Sequence, residues 1–375
     1  MNTDSTAQDK IAAYVRDGER TAYQLGNRGP MRFNDDGTVD KKILDAYWHY
    51  GFYVFEGAVK SDELEELQTE LERAFDRAPH TKDALVDAHG RPAIGTPPER
   101  SSFRFEKPLS DPDGGKGRHQ ANMAIPDLPP DAPDYVISGI SGPIQLLESC
   151  FRLYGHPQLL SITEQINGSN FTPFSESMIV KPAVFGPSVA WHQDGTTHWD
   201  RDDLDEGTHG FNFMFQYYGS TAANGVWVVP GSHKQGKIDI LKMMADNNGS
   251  DRLPGAVPMV CDPGDIVISN RQLLHGSFPN DSPQKRVAFN FGFHRRSSIL
   301  NVRKKWQDKP DVYDEELVIQ RSRMIALAID ARHQHFPNEP RYNYKPLAGQ
   351  EDSNRWSEET RESILNNRSL INLSI

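Results

Sequence analysis

Trp191-His192-Gln193-Asp194 places an imidazole and a carboxylate two positions apart. On an extended segment alternate side chains share a face, so His192 and Asp194 can meet at one point while Gln193 turns away. Such a pair suits two ligands of a metal ion. A second histidine, His275, sits in Leu273-Leu274-His275-Gly276-Ser277, just past the apolar run Ile266-Val267-Ile268, and could supply the third ligand. Two imidazoles and one carboxylate on one face of an iron(II) leave three positions open, enough for a cosubstrate and O2. A His-x-Asp pair is weak evidence by itself, since it recurs by chance on surfaces and in cores.

Arg286 strengthens the reading. It opens the run Arg286-Val287-Ala288-Phe289-Asn290-Phe291-Gly292-Phe293-His294, where alternation puts Val287 and the three phenylalanines on one face and Arg286, Ala288 and Asn290 on the other. A guanidinium on that polar face can grip a carboxylate through two parallel hydrogen bonds, which the point charge of a lysine does less well. The C5 carboxylate of 2-oxoglutarate fits this role. Taken alone, Arg286 reads equally as a solvated arginine at a strand edge. In a second run, Phe211, Phe213, Phe215 and Tyr217 alternate with Asn212, Met214, Gln216 and Tyr218. Gln216 is then either a pocket residue or a core polar group satisfied by neighbouring backbone.

These residues need a β-rich scaffold. Strands are expected over Leu159–Ile166, Ser177–Lys181, Phe211–Tyr217, Val226–Val229, Asp265–Ser269 and Arg286–His294, separated by Gly/Pro turns in the manner of a sandwich or jelly roll. The expected fold class is mainly β with flanking helices (α+β). Upstream, Lys41–Tyr50 reads as a helix, Gly51–Phe55 as a buried strand, and the stretch from Ser61 as a helix with Leu64, Leu67, Leu71 and Phe75 on one stripe. The organisation expected is a polar N-terminal leader over 1–40, the β-rich domain with its N-terminal helices over 41–300, and a helical extension over 301–375. The Pro- and Gly-rich stretch 79–134 is either a covering loop or a mobile segment.

Composition excludes several classes. A net charge of -11 with no Lys/Arg-rich stripe disfavours nucleic-acid binding. No stretch approaches a membrane-spanning length and no secretory leader is visible, so a cytoplasmic location and a small-molecule substrate are the expectations. The oligomeric state is not legible. Cys150 and Cys261 are too few for a disulfide scaffold and read as reduced core thiols.

Lys181-Pro182, Trp191-His192-Gln193-Asp194-Gly195, Asn224-Gly225, Pro230-Gly231-Ser232-His233-Lys234, Gly264-Asp265, His275-Gly276-Ser277 and Arg286 occur in that order, and together they resemble the phytanoyl-CoA dioxygenase family of iron(II)/2-oxoglutarate oxygenases. The resemblance runs from about Tyr50 to Arg296. It implies a double-stranded β-helix (a cupin-like jelly roll), with His192, Asp194 and His275 as iron ligands, Arg286 as the 2-oxoglutarate-binding arginine and Ser277 as a hydroxyl beside the same carboxylate. Met214 stands where the family commonly has a tryptophan near the cosubstrate. The cofactors implied are Fe(II), 2-oxoglutarate and O2, and the reaction expected is hydroxylation of an unactivated C–H bond with release of succinate and CO2. Asp194 argues against halogenation, because related halogenases replace this carboxylate with a small residue.

His233 is expected to be structural, within its turn. His198 and His209 flank the acidic stretch 195–210, which reads as a solvated loop in preference to a substrate lid. Two other readings stay open: a cupin-like metal-dependent hydrolase or isomerase, for which Arg286 has no obvious purpose, and a non-catalytic binding protein on the same fold.

Overall fold

The structure is a computed structural model that describes residues 7–96, 101–173, 176–196, 198–303 and 312–366. In chain order its strands are β1 (Arg28–Gly29), β2 (Phe52–Phe55), β3 (Phe103–Glu106), β4 (Val136–Ser141), β5 (Phe171–Pro173), β6 (Ser177–Lys181) and β7 (Val189–His192). There follow β8 (Phe211–Gln216), β9 (Trp227–Val228), β10 (Val257–Pro258), β11 (Ile266–Asn270), β12 (His275–Ser277) and β13 (Arg286–Arg295). A major sheet runs β1-β2-β11-β8-β13-β6-β4-β3, with β5 also on β13, and a minor sheet runs β10-β9-β12-β7. These two facing sheets with flanking helices make the jelly-roll fold that the sequence led us to expect.

Alternation along β8 and β13 decides which face of the major sheet is which. Phe211, Phe213, Phe215, Val287, Phe289, Phe291 and Phe293 are fully buried on the outer, helix-covered face. Helices Lys41–Tyr50, Ser61–Asp76, Glu148–Tyr154 and Glu315–His335 supply the rest of that core. Burying each of these rings stabilises the fold by about 1.5–3 kcal/mol, enough to hold the register that turns Arg286 and Asn290 inward.

The apolar run Leu159–Ile166 is not a strand. It belongs to the helix Pro157–Asn167, with Pro157 in its first turn and the His156 ring accepting from the Gln158 amide. Proline is preorganised for that first turn, and a short apolar run does not by itself distinguish a buried helix from a buried strand.

Residues Ala7–Gln24 form a helix against the minor sheet, where Tyr14 stacks on Trp227 with ring centroids 4.8 Å apart. Gly18 permits this approach, because a Cβ there would meet the Trp227 ring at 2.6 Å. No helix among the described residues is long and apolar enough to cross a membrane.

Candidate metal centre

His192 ends β7 and His275 begins β12, and the two are direct cross-strand partners. Their rings lie 4.1 Å apart between centroids. Asp194 follows two residues after His192, and the His192 Nε2 to Asp194 Oδ1 distance is 3.6 Å. One ligand atom from each of the three residues lies within 4.8 Å of the others. Gln193 does turn away, tying Gln272 O, Gly236 O and the Ile238 amide together outside the cavity. Gly195 makes the turn after Asp194 with φ +77°, and a Cβ there would strike the His209 ring at 2.1 Å.

The rings are preset for a metal. His192 Nδ1 lies 2.8 Å from Ala190 O, and His275 Nδ1 lies 2.8 Å from Leu273 O. A carbonyl can only accept, so both Nδ1 atoms carry the hydrogen and both Nε2 lone pairs are free. Burial pushes both imidazole pKa values below the usual histidine range, His192 the further, so both are neutral donors. Burial opposes ionisation of Asp194, but the neighbouring guanidinium groups, Arg118 foremost and Arg271 after it, outweigh it and hold the carboxylate well below its ordinary range. Neutral nitrogens and an ionised oxygen, His192 and Asp194 buried and His275 half-buried, fit iron(II).

The three residues face a cavity of about 330 Å³ between the sheets. Its far wall is the inner face of the major sheet, and β6 and β13 give it a graded surface. Cross-strand neighbours there are Lys181 with Arg286, Ile179 with Ala288, and Ser177 with Asn290. The wall therefore passes from charged to apolar to polar. Arg286 is buried, and its Nε donates to Gln216 Oε1 at 3.4 Å. Ser277 and Met214 also line the cavity. The structure thus gathers His192, Asp194, His275, Arg286, Ser277 and Met214 at one cavity, with Gln216 behind Arg286.

Several residues at this site escaped sequence reasoning. Arg118 Nη1 pairs with Asp194 Oδ1 at 2.9 Å, and the His119 ring lies 4.1 Å from the His192 ring. Both belong to the 79–134 stretch, which is pinned near the cavity by Asp111, bonded to Ser188 Oγ and the Met123 amide. No periodic signal marks this segment. Arg271 is buried behind Asp194, with its Nε 4.0 Å from Oδ2.

The expectation of a solvated 195–210 loop is overturned for its histidines. His198 and His209 are fully buried, with rings 5.7 Å apart, and His294 lies 5.5 Å from His198. The acids of that loop are partly neutralised, Asp203 by Arg201 and Asp205 by Arg295. His233 sits in its turn with Nε2 3.1 Å from Trp48 O, away from the metal cluster. Cys150 and Cys261 are buried free thiols.

Comparison with known proteins agrees with this architecture. Dioxygenase lolE1 of Epichloe uncinata is 32% identical over 132 residues, or 33% of this chain, and the match spans 50% of that relative. The chain thus matches about half the length of this curated relative. The structure of EctD from S. alaskensis with 2-oxoglutarate and 5-hydroxyectoine shares the fold at a TM-score of 0.50 and 18% identity, covering 77% of this chain and 86% of that one. The model of the family described as Phytanoyl-CoA dioxygenase (PhyH) matches residues 47–288, well over half of the sequence. The chain belongs to the phytanoyl-CoA dioxygenase family of iron(II)/2-oxoglutarate oxygenases.

Proposed function

We propose that this protein is an iron(II)/2-oxoglutarate-dependent dioxygenase that hydroxylates an unactivated C–H bond of a small molecule. The observation that carries this reading is one cavity with two opposed features: the His192–Asp194–His275 cluster on the minor-sheet side and the buried cation Arg286 on the major sheet. When bound, iron(II) with 2-oxoglutarate supplies the oxidising power, O2 placing one oxygen atom in succinate as CO2 leaves and the other in the product.

The chain's own residues do the positioning. His192, Asp194 and His275 would hold the metal by one face, leaving its other face toward the cavity. Arg286 would hold the far carboxylate of 2-oxoglutarate, with Ser277 beside it and the apolar tier of Ile179 and Ala288 flanking the methylenes. A hydrolase or isomerase on the same barrel gives Arg286 no task, and a binding protein has no need of the preset imidazoles. Arg118 and His119 close the cavity over the metal cluster and restrict water there.

An outer hollow of about 650 Å³ shares Arg104, Glu106 and Asp113 with the cavity and adds Lys82, Asp83, Lys107 and Lys116. Cations and acids are nearly balanced there, Lys82, Arg104, Lys107 and Lys116 against Asp83, Glu106 and Asp113, although the whole chain carries -11.

The test is anaerobic reconstitution with iron(II) and titration of 2-oxoglutarate, watching the weak visible charge-transfer band of the chelated metal. A band in the wild type that disappears in His275→Ala is expected. In Arg286→Ala the 2-oxoglutarate requirement should rise about tenfold to a hundredfold, the cost of losing a charge-assisted pair. Iron-loaded wild type that shows no band would sink the reading in favour of the hydrolase, isomerase or binding-protein alternatives.

A further inference from the structure

Ser177, Asn290, Asn212 and Ser269 form a polar patch on the inner face of the major sheet. The register sets them in two adjoining rows: Ser177-Asn290-Met214 across β6, β13 and β8, and Gly292-Asn212-Ser269 across β13, β8 and β11. Gly292 makes room for the Asn212 amide, since a Cβ there would stand 2.7 Å from Asn212 Oδ1. All four polar residues line the cavity. The patch adjoins the metal cluster through β11, because Arg271 follows two residues after Ser269 and its carbonyl accepts the Asp194 amide at 2.8 Å. Asn290 stands four residues along β13 from Arg286, roughly 13 Å at the rise of a strand, so a five-carbon diacid held by Arg286 does not extend to it.

The fold makes no use of these four groups. Among the described residues none of their side chains has a hydrogen-bond partner in the protein, and Asn290 Oδ1 is closed off from solvent as well. A buried amide is ordinarily paired, and an unpaired one costs stability that an aliphatic side chain in its place would not. The lining departs from the ordinary in a second respect. Ligand cavities are mostly apolar and aromatic, yet none of the described residues around this one is Phe, Tyr or Trp. Two amides and two hydroxyls offer both donors and acceptors and carry no charge.

We infer that this patch holds a neutral part of the substrate that bears both hydrogen-bond donors and acceptors, a hydroxylated ring or a lactam, beside the carbon to be oxidised. The inference deepens the oxygenase reading above and rests on it. A hydrocarbon or acyl chain laid against the patch would leave both amides unpaired and stripped of water, which penalises it. A charged group would find no counter-charge among the four. The amides thus select by hydrogen bonding and fix which carbon faces the metal cluster.

The experiment is anaerobic titration of the protein, loaded with iron(II) and 2-oxoglutarate, with three ring compounds, read as the shift of its visible charge-transfer band. The hydroxylated probe is myo-inositol, the lactam is 2-piperidone, and cyclohexanol is the matched ring with a single hydroxyl. The same titrations are made with Asn290→Leu and Asn212→Leu, whose thermal unfolding is also followed. The wild type is expected to bind one of the two polar rings more tightly than cyclohexanol, and the tighter of them distinguishes a hydroxylated substrate from a lactam. Each leucine variant should lower that preference about tenfold, the loss of one to two neutral hydrogen bonds. Both variants should still form the band and melt no lower than the wild type, since the amides they replace hold nothing in the fold.

A wild type that prefers cyclohexanol or binds none of the three rings would overturn the inference while the oxygenase reading stands. Leucine variants that keep the wild-type preference would do the same. Variants that fold yet melt well below the wild type would also overturn it, by giving the amides a structural task. Absence of the band in the iron-loaded wild type would sink the oxygenase reading and this inference with it. Should one leucine variant fail to fold, the other variant and the wild-type preference decide.

Discussion

Two groups of histidines lie on the two sides of Asp194, and they differ in what they can hold. Toward Oδ1 are His192 and His275, whose Nδ1 atoms donate to carbonyls and whose Nε2 atoms converge. Toward Oδ2 is Arg271, and behind it His198, His209 and His294. Arg271 Nη1 lies 2.9 Å from His294 Nε2 and 3.3 Å from His209 O. A guanidinium stands beside each oxygen, Arg118 at Oδ1 and Arg271 at Oδ2, and the second group is richer in imidazole, yet two of its rings are already engaged, His198 Nε2 by Ser298 O and His294 Nε2 by Arg271 Nη1. Imidazole count therefore does not make a metal site. A shared anion and lone pairs left free in one direction do. Asp194 serves both groups, ligand on one side and counter-ion on the other.

The sharpest way to break this contrast is to delete one imidazole from each group. His275→Ala is expected to abolish iron binding and turnover while shifting the melting temperature little, since a preset metal site adds nothing to the core. His198→Phe, which fills the same buried space, should retain a full complement of iron. Metal content per chain, with thermal unfolding followed by circular dichroism, checks both. If His198→Phe lost iron as completely as His275→Ala, the two groups would be one site and the contrast would fail.

Arg271 tests the link between them. Arg271→Met removes the charge beside Asp194 Oδ2 without emptying the space, so the carboxylate loses part of what holds it ionised and oriented. Iron affinity, measured by competition with a chelator, should fall about 10- to 100-fold, the usual effect of removing a group that orients a metal ligand. Arg271→Lys should recover part of it, whereas an effect through packing alone would not respond to restored charge. Unchanged affinity in Arg271→Met would confine Arg271 to the histidine group behind.

This division also explains what could be read from the sequence. His192 and Asp194 are two apart on an extended segment, so their convergence follows from local geometry alone. His275 lies just past the apolar run Ile266-Val267-Ile268, Arg286 opens a strand whose alternation is plain, and the inward face of Arg286-Ala288-Asn290 is as the periodicity predicts. The jelly roll was legible for the same reason. That Lys181 stands across from Arg286 could not be read from either segment, because register is a property of strand pairing rather than of either strand. Arg271, Arg118 and His119 lie in aperiodic segments whose paths are set by tertiary contacts. The acidic composition of 195–210 concealed its buried histidines, since charge runs ordinarily signal solvent. At Leu159–Ile166 an apolar run was read as a strand although Pro157 marks a helix start.

The smallest expected effect separates the two groups by pH. His198 has its pKa pulled down to about 4 by burial and then by the Arg271 charge, while its bond to Ser298 O opposes the shift. In the unfolded chain the ring titrates near its ordinary value of about 6.5. Above that pH both states are neutral and the full stability is present. Between about 6.5 and about 4 the unfolded chain binds a proton that the folded chain refuses, so stability is lost as pH falls through this window. His198→Phe removes this contribution, and its loss of stability from pH 7 to pH 5 should be smaller than the wild type's by about 1–2 kcal/mol. Urea unfolding at the two pH values measures the difference. Equal losses in both proteins would mean that His198 takes up its proton as readily in the folded chain as in the unfolded one, and the cluster around Arg271 could not then be a set of rings held neutral about a single cation.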